Sequence, residues 1–164
     1  MRIVLFRHGH KQFSMDENPS LSLKGFDQSK KLTQMLDTKI LPNPNECWHS
    51  FKKRTFETLQ ELKLNPSIQF KLKNNLNERQ ATETIKDFQN RIKLILIDIQ
   101  NLQIVSKEHI LFICSHYDWI EEFLNIASCS KDLNAFEYSN WAPGQYLDFE
   151  FYDDQFHILH KGVL

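Results

Sequence analysis

Ile3-Val4-Leu5-Phe6-Arg7-His8-Gly9-His10 is the stretch on which the fold turns. Its four leading apolar residues predict a buried strand. That strand delivers Arg7 and His8 to its C-terminal end, an unusual choice because charge is costly to bury. In open α/β sheets, ligands sit in the crevice beyond the carboxyl ends of the strands. Arg7 and His8 are therefore candidate site residues. The competing explanation is a surface histidine after an edge strand, since short motifs recur by chance.

Working outward, Lys11 to Ser20 is polar and aperiodic and predicts a loop. Ser22 predicts an N-cap for a helix over about 23–36, with Phe26, Leu32, Met35 and Leu36 facing in. A Pro-containing loop over 40–46 leads into a short strand, Cys47-Trp48-His49. Ser50 then reads as the N-cap of a helix over 51–62, with Thr55, Leu59 and Leu62 inward. Ser67 to Leu72 alternates Ile68, Phe70 and Leu72 with polar residues, the pattern of a half-exposed strand. After a polar loop over 74–80, Ile85, Phe88, Ile92, Ile95, Ile99 and Leu102 form one apolar stripe along the longest helix.

His109 to Cys114 is a second buried strand, and it ends in Ser115-His116. Asp118 opens a helix carrying Trp119, Ile120, Phe123, Leu124 and Ala127. Two strands, 145–151 and 156–161, flank a hairpin turn at Tyr152-Asp153-Asp154-Gln155. Strand and helix alternate. The expected fold is therefore α/β, a three-layer α/β/α sandwich whose mostly parallel sheet has an antiparallel C-terminal edge. The 164 residues suit a single domain, residues 1–164.

With 41% hydrophobic and 25% charged residues, the composition is that of an ordinary globular chain. A net charge of −1 exerts no global pull toward nucleic acid or membrane, so neither is expected as a partner. No apolar run is long enough to span a bilayer, and Met1-Arg2-Ile3 enters a strand directly, unlike a signal peptide. Cys47, Cys114 and Cys129 are odd in number and lack CxxC spacing. Reduced, mostly buried thiols in a cytoplasmic protein are the expectation.

Two buried strands thus end alike, at Arg7-His8 and at Ser115-His116, and a third ends at His49-Ser50 with Arg54 one turn into the next helix. If these strands are neighbours, Arg7, His8, Arg54 and His116 share one crevice. Two guanidiniums and two imidazoles make a trap for a phosphoryl group: arginine forks match its oxygens, and an imidazole can attack phosphorus. No histidine set has zinc spacing, and Arg7 beside His8 opposes a cation, so no metal or other cofactor is expected. His49 and His109 read as strand-end residues, and His157 and His160 as members of the last strand.

These motifs resemble the histidine phosphatase superfamily, the phosphoglycerate mutase-like fold. Phe6-Arg7-His8-Gly9 looks like its signature, and Leu21-Ser22-Leu23-Lys24-Gly25-Phe26-Asp27-Gln28 is similar to the segment opening its first helix. The run from His49 to Thr58 looks like its second phosphate-binding motif, with Arg54 as the matched arginine. Ser115-His116 matches its second histidine, and Leu76-Asn77-Glu78-Arg79 reads like the segment carrying the acid in cofactor-dependent mutases. The resemblance implies His8 as a nucleophile forming a phosphohistidine. It implies Arg7, Arg54 and His116 as holders of the phosphoryl oxygens, and Glu78 as the acid that protonates the leaving oxygen and then activates water. His8 must then be neutral, with one ring nitrogen donating to a carbonyl, and Glu78 needs desolvation to hold a proton. As a plain loop carboxylate, Glu78 would instead pair with Arg79.

Four positions depart from the pattern, Tyr117-Asp118 and His10-Lys11. Tyr117-Asp118 stands where many members have Gly after the second histidine. Tyr117 is expected to narrow the pocket or lie on the substrate, and Asp118 to point away and cap the next helix. His10 and Lys11 stand where the family often has an acidic or hydroxyl residue followed by Thr or Ser; His10 either donates to phosphate, lies at the pocket rim, or is a solvated loop residue. The short segment between Arg54 and His116 resembles the compact bacterial phosphohistidine phosphatases and implies an open crevice. Hydrolysis of phosphomonoesters or phosphorylated protein is the expected activity. A mutase-like phosphotransferase and a non-catalytic phosphate-binding module are the alternatives.

Overall fold

The computed structural model describes residues 1–133 and 136–164. Ten principal elements follow in chain order: β1 (Arg2–Arg7), α1 (Leu23–Asp37), β2 (Glu46–His49), α2 (Lys53–Leu59), β3 (Gln69–Leu72), α3 (Ile85–Val105), β4 (Ile110–Ser115), α4 (Tyr117–Ile126), β5 (Gln145–Tyr152) and β6 (Gln155–Val163). The six strands form one sheet in the order β3-β2-β4-β1-β5-β6. The first four are parallel, whereas β5 and β6 add an antiparallel edge.

Successive strand residues point to opposite faces, and this chain fills both. Ile3, Leu5, Leu111, Ile113 and Leu147 pack on one face against Phe88, Ile92, Ile95 and Ile99 of α3 and Trp119, Ile120 and Phe123 of α4. Val4, Phe6, Cys47, Phe112 and Cys114 pack on the other against Leu32 and Leu36 of α1 and Leu59 of α2. Three layers result. Each fully buried α3 side chain contributes about 1.5–3 kcal/mol of transfer free energy.

The boundaries differ from expectation where tertiary partners intervene. Helix α2 starts at Lys53, two residues later than its sequence suggests, and runs on into a tight turn of 3-10 helix over Gln60–Leu64. Ser50 is not its cap. Instead Asn18, from the 11–20 loop, accepts the Lys53 amide at 2.9 Å. On α1, Ser22 does accept the Gly25 amide, but the buried face is built from Gly25, Gln28, Ser29, Leu32 and Leu36 rather than Phe26. Ile85, the first residue of α3, is exposed, so the apolar stripe begins at Phe88. Strand β3 is a solvated edge with Leu72 exposed. Asp153 and Asp154, both at positive φ, form the two-residue turn between β5 and β6. Cys47 and Cys114 are buried free thiols, and Cys129 is half-buried. No described helix is long and apolar enough to cross a membrane.

Candidate active site

Register brings the two histidines together. Strands β1 and β4 are parallel neighbours with Arg7 opposite Ser115, so His8 and His116 leave the sheet side by side. The His8 amide donates to the Ser115 carbonyl at 3.0 Å. Their ring centroids lie 5.3 Å apart. Strand β2 flanks β4 on the other side with His49 opposite Cys114, which sets Ser50 beside Ser115 and aims α2 at the same point.

The loop after β1 is clamped from several directions. The Gly9 amide donates to Thr58 Oγ1 at 2.9 Å, and the His10 amide to Gln28 Oε1 at 2.8 Å. Gln28 also donates from Nε2 to the Pro143 carbonyl at 2.8 Å. Two glycines permit this packing. A Cβ on Gly25 would lie 2.2 Å from the His10 carbonyl oxygen. Gly144, at φ +79°, directs its amide to the Arg7 and His8 carbonyls, and a Cβ there would strike Gln28.

His8 is buried, and its Nδ1–H donates to the Gly9 carbonyl at 2.8 Å. Its Nε2 therefore carries the lone pair, which accepts from Arg54 Nε at 3.2 Å. Burial, followed by the nearby Arg54, Arg7 and Lys11 cations, lowers the His8 pKa to about 3. His116 is lowered to about 2, again first by burial. Both imidazoles are neutral near pH 7.

Arg54 is 2% exposed and links the groups. Its Nη2 donates to Glu78 Oε2 at 2.6 Å and lies 3.3 Å from His116 Nδ1. Arg54 Nη1 and Arg7 Nε are buried donors without a protein partner. Arg7 is held by a bond from Nη1 to the Trp141 carbonyl, with its guanidinium 5.3 Å from the Tyr117 ring centroid. Glu78 pairs with Lys52 at 3.2 Å as well as with Arg54, not with Arg79. Its carboxylate is about one-third exposed, so it stands as a counter-ion between two cations.

Several contributors escaped the sequence reading. Arg91, on α3, donates to the carbonyls of Asn75, Asn77 and Glu78 while its guanidinium grips Glu83 at 2.8 Å. Ser115 Oγ donates to the Leu76 carbonyl at 2.7 Å. Together they fix the loop that carries Glu78. Asp118 meets an amide in the first turn of α4, as expected, but does not point away from the crevice. Its Oδ2 accepts the Arg79 amide at 2.6 Å, and its Oδ1 accepts the Trp119 amide at 2.9 Å. Ser50, freed from capping, bonds His116 Nε2 at 2.8 Å. Hydroxyls on the inner face of α2, at Thr55 and Thr58, were the available signal that this face is not simply core.

A cavity of about 540 Å³ opens over these groups. Arg7, His8, Arg54, Glu78, His116 and Tyr117 all line it, with His10, Lys11, Phe13, Arg79 and Asp118 toward its rim. His10 is exposed and contacts Ser22 Oγ at 2.8 Å through Nδ1. Its lining side chains include four Lys and Arg cations against two carboxylates, so the field in the crevice favours an anion despite the neutral whole. Among the described residues, no group of three or more His, Cys, Asp or Glu side chains could hold a metal ion.

Comparison of whole structures identifies the fold. The chain superposes on the protein histidine phosphatase SixA complexed with tungstate, with a TM-score of 0.75 over 99% of this chain and 97% of that one. The chain has the histidine phosphatase fold. Sequence identity in that match is 12%. An Entamoeba histolytica phosphoserine phosphatase variant in complex with phosphoserine matches with a TM-score of 0.70, 12% identity, and 98% and 95% coverage. Bacillus stearothermophilus YhfR matches with a TM-score of 0.71, 14% identity, and 96% and 94% coverage. No protein-family model matches the sequence, and no curated protein matches it significantly. At this level of identity, the histidine phosphatase fold is retained while most side chains differ.

Proposed function

We propose that this chain is a metal-independent phosphatase that hydrolyses phosphomonoesters or phosphorylated protein through a phosphohistidine on His8. One observation carries the reading: a buried neutral His8 whose Nδ1–H is tied to a carbonyl, so that Nε2 is the available nucleophile beside Arg54 and His116. The partnerless donors Arg54 Nη1 and Arg7 Nε support it, because buried donors of this kind suit phosphoryl oxygens.

In this mechanism His8 Nε2 forms the N–P bond as the P–O bond to the leaving group breaks. Arg54 Nε moves from the Nε2 lone pair to a phosphoryl oxygen. Arg7 and Arg54 neutralise charge in the transfer, with His116 at the same oxygens. Tyr117 supports Arg7 from the pocket wall. As Arg54 turns to the phosphoryl oxygens it releases Glu78, which takes a proton from solvent, passes it to the leaving oxygen, and then takes one from the water that attacks phosphorus and releases His8. The crevice, rimmed by the exposed Phe13, is open to water, which supports hydrolysis over retention of the phosphoryl group.

The test is hydrolysis of a chromogenic phosphomonoester by the wild-type chain and by His8→Ala. Turnover that survives EDTA and vanishes in His8→Ala is expected. No turnover by the wild-type chain across a panel of phosphorylated metabolites and phosphohistidine proteins would leave a phosphate-binding module.

A further inference from the structure

Behind His116 runs a chain of hydroxyls whose proton directions are determined. Thr55 Oγ1 lies 2.7 Å from the Lys52 carbonyl and 3.2 Å from that of Ser50, so its proton is given to a carbonyl. Thr55 Oγ1 is 3.0 Å from Ser50 Oγ and is left there as the acceptor. Ser50 Oγ thus donates to Thr55 and accepts both the Lys52 amide, at 3.1 Å, and His116 Nε2–H, at 2.8 Å. On the other side of the ring, Arg54 Nη2 is a donor only, 3.3 Å from His116 Nδ1. A proton on Nδ1 would face an N–H of the guanidinium. Every partner is satisfied in one arrangement: Nε2–H given to Ser50, and Nδ1 on the crevice side as an acceptor, filled by Arg54 Nη2–H.

We propose that Ser50 and Thr55 are positioning residues that hold His116 in the Nε2–H tautomer, so that the site selects the protonated monoanion of its phosphate ligand, whose P–OH donates to His116 Nδ1. The inference rests on the phosphate reading of the crevice and gives the second histidine a definite polarity within it. Once Arg54 turns its N–H groups from His116 to the phosphoryl oxygens, a dianion would set an oxygen lone pair against the Nδ1 lone pair. The monoanion supplies the missing proton, which stays between oxygen and Nδ1 or moves to Nδ1 with no net gain or loss in the complex. The charged and titratable groups around the ring are His8 at the end of β1, Arg54 on α2, Lys52 before it, Glu78 Oε2 at 3.8 Å from Nδ1, and Lys11. The cations among them, with burial, oppose a doubly protonated ring, which would otherwise be the second way to present a donor.

Two measurements test this on the intact chain. Long-range ¹H–¹⁵N spectra of the imidazoles report the His116 tautomer without reference to activity. Nε2 is expected to carry the proton in the wild-type chain. In Thr55→Val, Ser50 loses its acceptor and turns its proton to Nε2, so the pattern is expected to reverse. Ser50→Ala should leave a mixture, and Ser50→Thr should restore the wild-type pattern. An Nδ1–H wild type, or an unchanged tautomer in folded Thr55→Val, overturns the assignment.

Inorganic phosphate and sulfate are then titrated between pH 8 and 6. Phosphate should tighten by on the order of tenfold per pH unit above its second pKa, the slope of one proton taken up. Sulfate has no proton to give there and should change far less, which also controls for titration of the protein itself. Phosphate binding as flat as sulfate binding would overturn the monoanion proposal while leaving the phosphate site intact. Failure of both anions to bind would overturn the phosphate reading itself.

Discussion

At the scale of single residues, the site is two neutral imidazoles held among guanidiniums. That has a cost on the acid side. His8 and His116 are lowered in the folded chain, whereas an unfolded histidine titrates near 6.5. Between about 3 and 6.5 the unfolded chain binds protons that the folded chain refuses, so stability rises with pH through that window and falls as the medium is acidified. Each histidine contributes about 1.4 kcal/mol per pH unit in the middle of it. Denaturant unfolding between pH 4 and 6 should show His116→Gln losing roughly one proton's worth of slope relative to wild type. An unchanged slope would show that His116 titrates normally. Glu78 sets a second expectation. As the acid, it matters most for poor leaving groups, so Glu78→Gln should slow alkyl phosphate hydrolysis by about 10²–10⁴-fold and aryl phosphate hydrolysis much less. Equal, small effects on both substrates would make Glu78 only the counter-ion its pairing with Arg54 and Lys52 describes.

At the scale of elements, what was legible and what was not divides by whether the cause is local. The strand ending in Arg7-His8, the strand ending in Ser115-His116 and the stripe of α3 follow from local patterns, and all three are present. The late start of α2 does not, because the hydroxyl that would cap it is bonded to a histidine 66 positions away, and the cap comes from Asn18. Asp118 misled for the same reason: its role depends on the Arg79 amide, which the sequence cannot place beside it. Arg91 was invisible because helix periodicity registers apolar residues and passes over a cation whose partners are carbonyls of a distant loop. Arg91→Met should therefore loosen the 75–79 loop. About 1–3 kcal/mol of stability should be lost, and alkyl phosphate turnover should fall while phosphate affinity changes little. Limited proteolysis at that loop, with turnover, checks it. Wild-type resistance and wild-type turnover would show that the loop is held well enough by Ser115, on the Leu76 carbonyl, and by Trp119, whose Nε1–H donates to the Asn75 carbonyl at 2.7 Å.

At the scale of the whole molecule, one parallel register does most of the positioning. The sheet places β1 beside β4 and β2 beside β4, so three strand ends discharge His8, His116 and Ser50 into the same crevice, and α2 brings Arg54 across them. The site is thus built at the carboxyl ends of the central strands, at the opposite end of the sheet from the β5–β6 turn. The claim at the centre of this account is covalent: phosphate resides on His8 between the two half-reactions. The measurement that tests it most directly is to mix the chain with a radiolabelled phosphomonoester, quench within one turnover and map the label. Acid-labile, base-stable phosphate on the peptide containing His8, absent from His8→Ala, is the predicted result. Turnover with no label on His8 at any quench time, or with label that survives acid, would contradict it.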